Sequence, residues 1–143
     1  PVLITIGASF ALGHALHVTG AAQWLAHLLI TVSAGHPLLL LVTVYIAVSL
    51  LTESITNNSA AILMLPIVLQ ITATMSLDPL PYVLTIMMAA SASFATPLGY
   101  HTNLMVYGPG NYTFRDFLKV GLPMNLIIGA VTIAVLALMF DLR

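Results

Sequence analysis

The sequence predicts an all-helical integral membrane protein, with one re-entrant hairpin and one broken transmembrane helix. Composition is the first reason. Hydrophobic residues fill 60% of the 143 positions and charged residues 5%, whereas a soluble domain carries about 25% charged residues. The distribution of charge is the second. Three basic and four acidic residues leave positions 1–52, 79–114 and 120–140 uncharged, and uncharged apolar stretches beyond roughly 20 residues can supply spanning helices. The third is the lack of alternation. Lipid allows only helices or closed barrels, and runs such as PLLLLVTVYIAVSLL, residues 37–51, lack a barrel's polar and apolar alternation.

In chain order, residues 1–34 are expected to form the helices that precede the hairpin. A turn is expected at Thr19-Gly20, with Trp24 and His27 placed as interfacial anchors. The break Gly35-His36-Pro37 follows, and Pro37 suits the first turn of the next helix. Residues 37–76 are two apolar arms around the polar cluster TESITNNS, residues 52–59. Each arm is about 15 to 18 residues long, at or below the lower limit of a full span. Two short arms around a polar tip predict a re-entrant hairpin. Two ordinary spans with a polar loop outside the membrane are the rival reading. The short separation between the arms, with Asn57-Asn58 where a tight turn or helix start is favoured, supports the hairpin.

Residues 79–110 are expected to be a broken helix. Small residues from Ala89 to Ala95 permit close helix approach, and Thr96-Pro97-Leu98-Gly99 then interrupts the helix before it could cross. A simple proline kink is the alternative. Residues 112–122 carry Arg115, Asp116 and Lys119 among aromatics, a pattern for a helix at the membrane surface. Residues 123–141 form the last transmembrane helix. No internal repeat is visible.

Several function classes are disfavoured. A net charge of −1 provides no basic patch for nucleic acid. The absence of cysteine removes disulfides and thiolate metal sites. His14 and His17 share a helix face, but no third metal ligand stands nearby. An enzyme is not expected: neither a Gly-x-Ser-x-Gly elbow nor a His-Glu-x-x-His run occurs. A channel or assembly subunit would not need two interrupted helices, and no filter motif is found. The chain begins PVLITIG, without an initiator Met or a signal peptide, and reads as part of something longer.

Two unwound points flanked by short helices are the sequence pointer to a secondary transporter's binding site near the bilayer midplane. Carbonyls released by unwinding, with Thr and Asn oxygens, suit a small alkali cation. The helix starts that follow offer unpaired amides to an anion. The Thr56-Asn57-Asn58 cluster can also be read as a helix cap and turn. Glu53 is either a functional intramembrane carboxylate or a group that bonds neighbouring hairpin amides and fixes the shape.

At these residues the sequence resembles a family. LTESITNNSAAILMLPI and SFATPLGYHTNLMVYGPGNYTFRDFLKVGLP, within roughly residues 38–125, are similar to consecutive segments of the divalent anion:sodium symporters. These carriers of dicarboxylates, citrate and sulfate are also called citrate-transporter-like permeases. The likeness is to the bacterial branch that often carries TrkA-C domains. It implies the second of two inverted repeats, with a missing N-terminal half, and a homodimer in the cell membrane. Sodium would be the coupling ion, with no other cofactor. The substrate would be a small inorganic or carboxylate anion. Carried over by position, Thr52, Asn57 and the carbonyls of Ile55 and Ala95 would bind sodium. Asn57, Asn58, Thr96 and Pro97 would bind the substrate. Apart from the resemblance, His101 in the broken segment could bind an anion when protonated or tune coupling to pH, and Glu53 could tune the site. Thr56 and Asn58 depart from the family's Ser-Asn-Thr pattern, at its first and third positions.

Overall fold

The computed structural model describes residues 18–142, together with Ile4, Gly7, Ala11, His14 and Ala15, and omits the His101 side chain. His17 and most of the helix expected before Thr19 lie outside the described residues. Those residues are all-helical apart from turns and loops. Six helices of seven or more residues follow in order: α1 Ala21–Val32, α2 Pro37–Thr52, α3 Asn57–Thr74, α4 Leu80–Ser91, α5 His101–Tyr107 and α6 Phe114–Met139.

Local chemistry sets the ends. After α1 the chain turns through Ala34 and Gly35, both at positive φ, and Pro37 opens α2 because its missing N–H has no partner to lose there. Four residues separate α2 from α3. Thr56 caps α3, its hydroxyl accepting from the Ser59 N–H at 3.4 Å. Ser76 at positive φ stops the chain after α3. Asp78 Oδ1 then accepts from the Leu80 N–H at 3.0 Å to start α4.

The core lies where α2, α3 and α4 meet. On α2 the buried positions Leu40, Val44, Val48 and Thr52 recur every four residues. Ala60, Met64, Ile67 and Ile71 on α3 and Tyr82, Ile86 and Ala89 on α4 complete the set. Apolar residues also cover the outer surfaces, as on α6 at Val120, Leu126, Ile127, Val131, Val135 and Leu138. An apolar exterior of this extent suits lipid or further protein rather than water.

Two boundaries differ from the sequence reading. α4 ends at Ser91, about four residues before Thr96, and the chain stays non-helical from 92 to 100. A helical Pro97 ring would collide with the carbonyl of Ser93, and the residues before it bond Thr52 and Glu53 instead of continuing the helix. Second, residues 112–122 and 123–141 are not separate helices. α6 runs unbroken for 26 residues through Pro123, because Pro123 removes one backbone bond of a long helix but meets no competing turn residue.

At ~1.5 Å per residue, α6 is ~39 Å long and exceeds the ~30 Å hydrocarbon thickness. α3 (18 residues) and α6 are long and apolar enough to cross a membrane, while α1, α2 and α4 are shorter apolar helices.

α6 approaches the rest through two glycines. A Cβ on Gly121 would collide with the backbone of Phe94 and sit 2.6 Å from the Ala95 nitrogen. A Cβ on Gly129 would lie 2.7 Å from Tyr45 Cε1. Gly121→Ala is therefore expected to cost about 1–3 kcal/mol, read as a lower thermal midpoint of the whole protein in detergent. Gly108→Ala, which meets nothing within 4 Å, should leave that midpoint unchanged.

Candidate functional site

The turn 53–56 and the break 92–100 lie against each other. Glu53 joins them. Its Oε1 accepts from the Ala95 N–H at 3.0 Å, and its Oε2 accepts from the Thr96 N–H at 2.8 Å. Thr96 returns a bond, its hydroxyl donating to the Glu53 carbonyl at 2.8 Å and accepting from the Gly99 N–H at 3.3 Å. Ser93 Oγ donates to the Thr52 carbonyl at 3.2 Å. Within the break, Asn103 Nδ2 reaches back from α5 to the carbonyls of Ser93 (3.2 Å) and Thr96 (3.1 Å). Backbone groups released by the missing helix are thus taken up by side chains, which matters where no bulk water can serve them.

Beside this clamp is a group of oxygens. Thr52 is fully buried, and its hydroxyl donates to the Ala90 carbonyl at 2.9 Å. The Asn57 amide faces three acceptors, so its nitrogen belongs on that side: Nδ2 donates to Thr52 Oγ1 at 2.9 Å, Gly99 O at 3.1 Å and Ala90 O at 3.2 Å. Thr52 Oγ1 can accept there because its own proton points at Ala90. Gly99 is required for this approach. A Cβ on it would strike Ser93 Oγ and lie 2.5 Å from the Thr52 carbonyl.

The other residues singled out in the sequence fall around this group. Ile55 is half-buried in the turn, and its N–H bonds the Leu51 carbonyl at 2.9 Å. Among the described residues, no hydrogen bond ends on the carbonyls of Ile55 or Ala95. Asn58 is exposed on the first turn of α3, and Pro97 is buried in the break. His101 is the first residue of α5. Glu53 is not bonded to the amides of its own turn; it holds those of the break, 42 and 43 residues away. Thr96 likewise spends its hydroxyl on the clamp.

Asn125, Ser93 and Asn103 are not singled out for the site by the sequence, which marks Gly99 only as part of the helix break. Asn125 Nδ2 donates to Glu53 Oε1 at 2.7 Å, and its Oδ1 accepts from the Phe94 N–H at 3.3 Å. Its cue in the sequence is a single amide inside the apolar run after Pro123, where polar residues are costly without a partner. Glu53 and Asn125 line a cavity of about 520 Å³ between α2 and α6, whose walls are otherwise mostly apolar. No group of three or more His, Cys, Asp or Glu that could hold a metal occurs among the described residues.

Likeness to known proteins is at the level of family. The citrate transporter family, CitMHS, matches residues 1–142. An uncharacterized transporter of Synechocystis is 38% identical over 99% of the chain. Sodium/sulfate cotransporter 1 of Chlamydomonas reinhardtii is 40% identical over 87% of it. A sodium-dependent dicarboxylate transporter of Staphylococcus saprophyticus is 30% identical over 97% of it. The chain spans 23%, 14% and 26% of the length of these three relatives. The family and these relatives are membrane transporters, not enzymes.

Replacing Glu53 by Ala would strand the amides of Ala95 and Thr96 and the Asn125 side chain. The expected cost is about 3 kcal/mol or more, read as a lower thermal midpoint of the whole protein in detergent. Asn58→Ala, at an exposed position, should leave that midpoint within error.

Proposed function

The chain belongs to the citrate transporter family, and on that premise we propose that it forms one half of a sodium-coupled carrier of a divalent anion. The observation that carries the proposal is the meeting of turn 53–56 with break 92–100 around Thr52 and Asn57. Oxygens gather there with no basic side chain among their hydrogen-bond partners. A small hard cation is stabilised by such oxygens, and it would in turn neutralise an anion held beside it. Relatives named for sodium/sulfate and sodium-dependent dicarboxylate transport support the same pairing.

In this reading the chain is the second of two inverted repeats. Residues 37–76 form a re-entrant hairpin and residues 79–110 a broken transmembrane helix. Sodium takes Thr52, the Asn57 oxygen and the carbonyls of Ile55 and Ala95. The Asn57 amide would rotate for this, exchanging its three acceptors for the ion. The two carbonyls need surrender no described hydrogen bond. The anion lies against Asn57, Asn58, Thr96 and Pro97, where the first amides of α3, those of Asn57 and Asn58, have no protein acceptor among the described hydrogen bonds. The substrate is sulfate, a dicarboxylate or citrate. An N-terminal half supplies the other side of the site, and the whole protein works as a homodimer. His101 tunes the response to pH from the start of α5.

Glu53 serves the shape of the site. All three partners of its side chain are donors, namely two backbone amides and one side-chain amide, and they tie turn 53–56 to break 92–100.

The test is uptake by the whole protein in liposomes. With sulfate, succinate and citrate offered separately, at least one should accumulate with an inward sodium gradient and none with potassium in its place. Asn57→Ala should abolish that accumulation, and uptake indifferent to both changes would refute the proposal.

A further inference from the structure

Asn125 lies 72 residues from Glu53 and outside every motif discussed for the site. Both ends of its amide are nonetheless used across the two interruptions. Nδ2 donates to the carboxylate that belongs to turn 53–56, and Oδ1 accepts from the Phe94 N–H in the break. The two bonds fix which way the amide points. One helical turn before Asn125 stands Gly121, against the Phe94 and Ala95 backbone, and one turn after it Gly129, against the Tyr45 ring. Small residues on either side bring α6 close enough for the amide to reach.

We propose that Asn125 is a positioning residue for the ion site. It acts through Glu53, holding turn and break in one geometry. This inference rests on the sodium-coupled reading above. A neutral donor is the suitable partner, since a second carboxylate would repel Glu53 and an apolar side chain would leave Glu53 and the Phe94 amide short of a bond. Among titratable groups on the surrounding elements, Tyr45 of α2 lines the same cavity. Tyr82 lies on α4, Tyr100 closes the break, and His101 follows it. Arg115, Asp116 and Lys119 occupy the first turns of α6, Lys119 standing ~9 Å from Asn125 along the axis. None of the groups with described side chains hydrogen-bonds Glu53 among the described residues.

Asn125→Leu is the deciding variant, because it keeps the shape of the side chain and removes both bonds, while Asn125→Gln keeps an amide. Using whichever of sulfate, succinate or citrate the wild type accumulates, uptake by each whole variant protein in liposomes is measured against sodium and against the anion. In Asn125→Leu the sodium concentration for half-maximal uptake should rise by about tenfold, more than that for the anion, and Asn125→Gln should recover part of that loss.

Unchanged sodium dependence in Asn125→Leu, or sodium and anion dependence shifted equally, would overturn the inference while leaving sodium coupling intact. Wild-type uptake that ignores sodium would overturn the underlying reading as well. An Asn125→Gln variant that recovers none of the sodium dependence would also count against the inference, because its amide can still donate to Glu53.

Discussion

Everything near the proposed site depends on how the chain satisfies the backbone groups exposed where a helix stops. Between Ser91 and His101 the helical ladder is absent. The Glu53 carboxylate takes up the amides of Ala95 and Thr96, and unpaired they would cost on the order of 1–3 kcal/mol each. A half-buried carboxyl group would itself be unfavourable without partners. Three short donor contacts compensate it. The clamp is thus mutual: the break needs an acceptor, and the carboxylate needs donors.

Position follows from that exchange. With turn and break locked, Thr52 and Asn57 are carried to the carbonyls of Ala90 and Gly99. Gly99 can approach only because it lacks a Cβ. The core beneath, where α2, α3 and α4 meet, supplies the packed base that carries both loops. α6 closes the arrangement from outside through Gly121, Asn125 and Gly129. Polar chemistry is concentrated where two loops meet, and the remaining surface is left to lipid or to further protein.

The all-helical class and the family were legible in the sequence because they follow from signals local in the chain. Low charge fixes the solvent and thereby helices, while Pro37, Pro97 and the Thr-Glu-Ser-Ile-Thr-Asn-Asn cluster mark interruptions. What escaped has a common cause. The end of α4 at Ser91 requires knowing that Pro97 acts on a carbonyl four residues back and that the freed segment finds partners elsewhere. The unbroken course of α6 past Pro123 could not be told from a break, since a proline in a long apolar helix reads alike in both. The partners of Glu53 were invisible because Ala95, Thr96 and Asn125 are brought to it only by packing. Asn125 left one trace, a lone amide in an oily run.

The central claim is that Glu53 organises the break so that sodium can be held beside it. Amide hydrogen exchange of the whole protein in detergent, resolved at Ala95 and Thr96, tests this most directly, with sodium compared against potassium. The wild type should protect both amides, and sodium should slow exchange further across residues 52–57 and 92–100. Glu53→Gln should lose both effects, having one acceptor oxygen where two are needed. Protection at Ala95 and Thr96 that is the same in wild type and variant, whichever cation is present, would contradict the account.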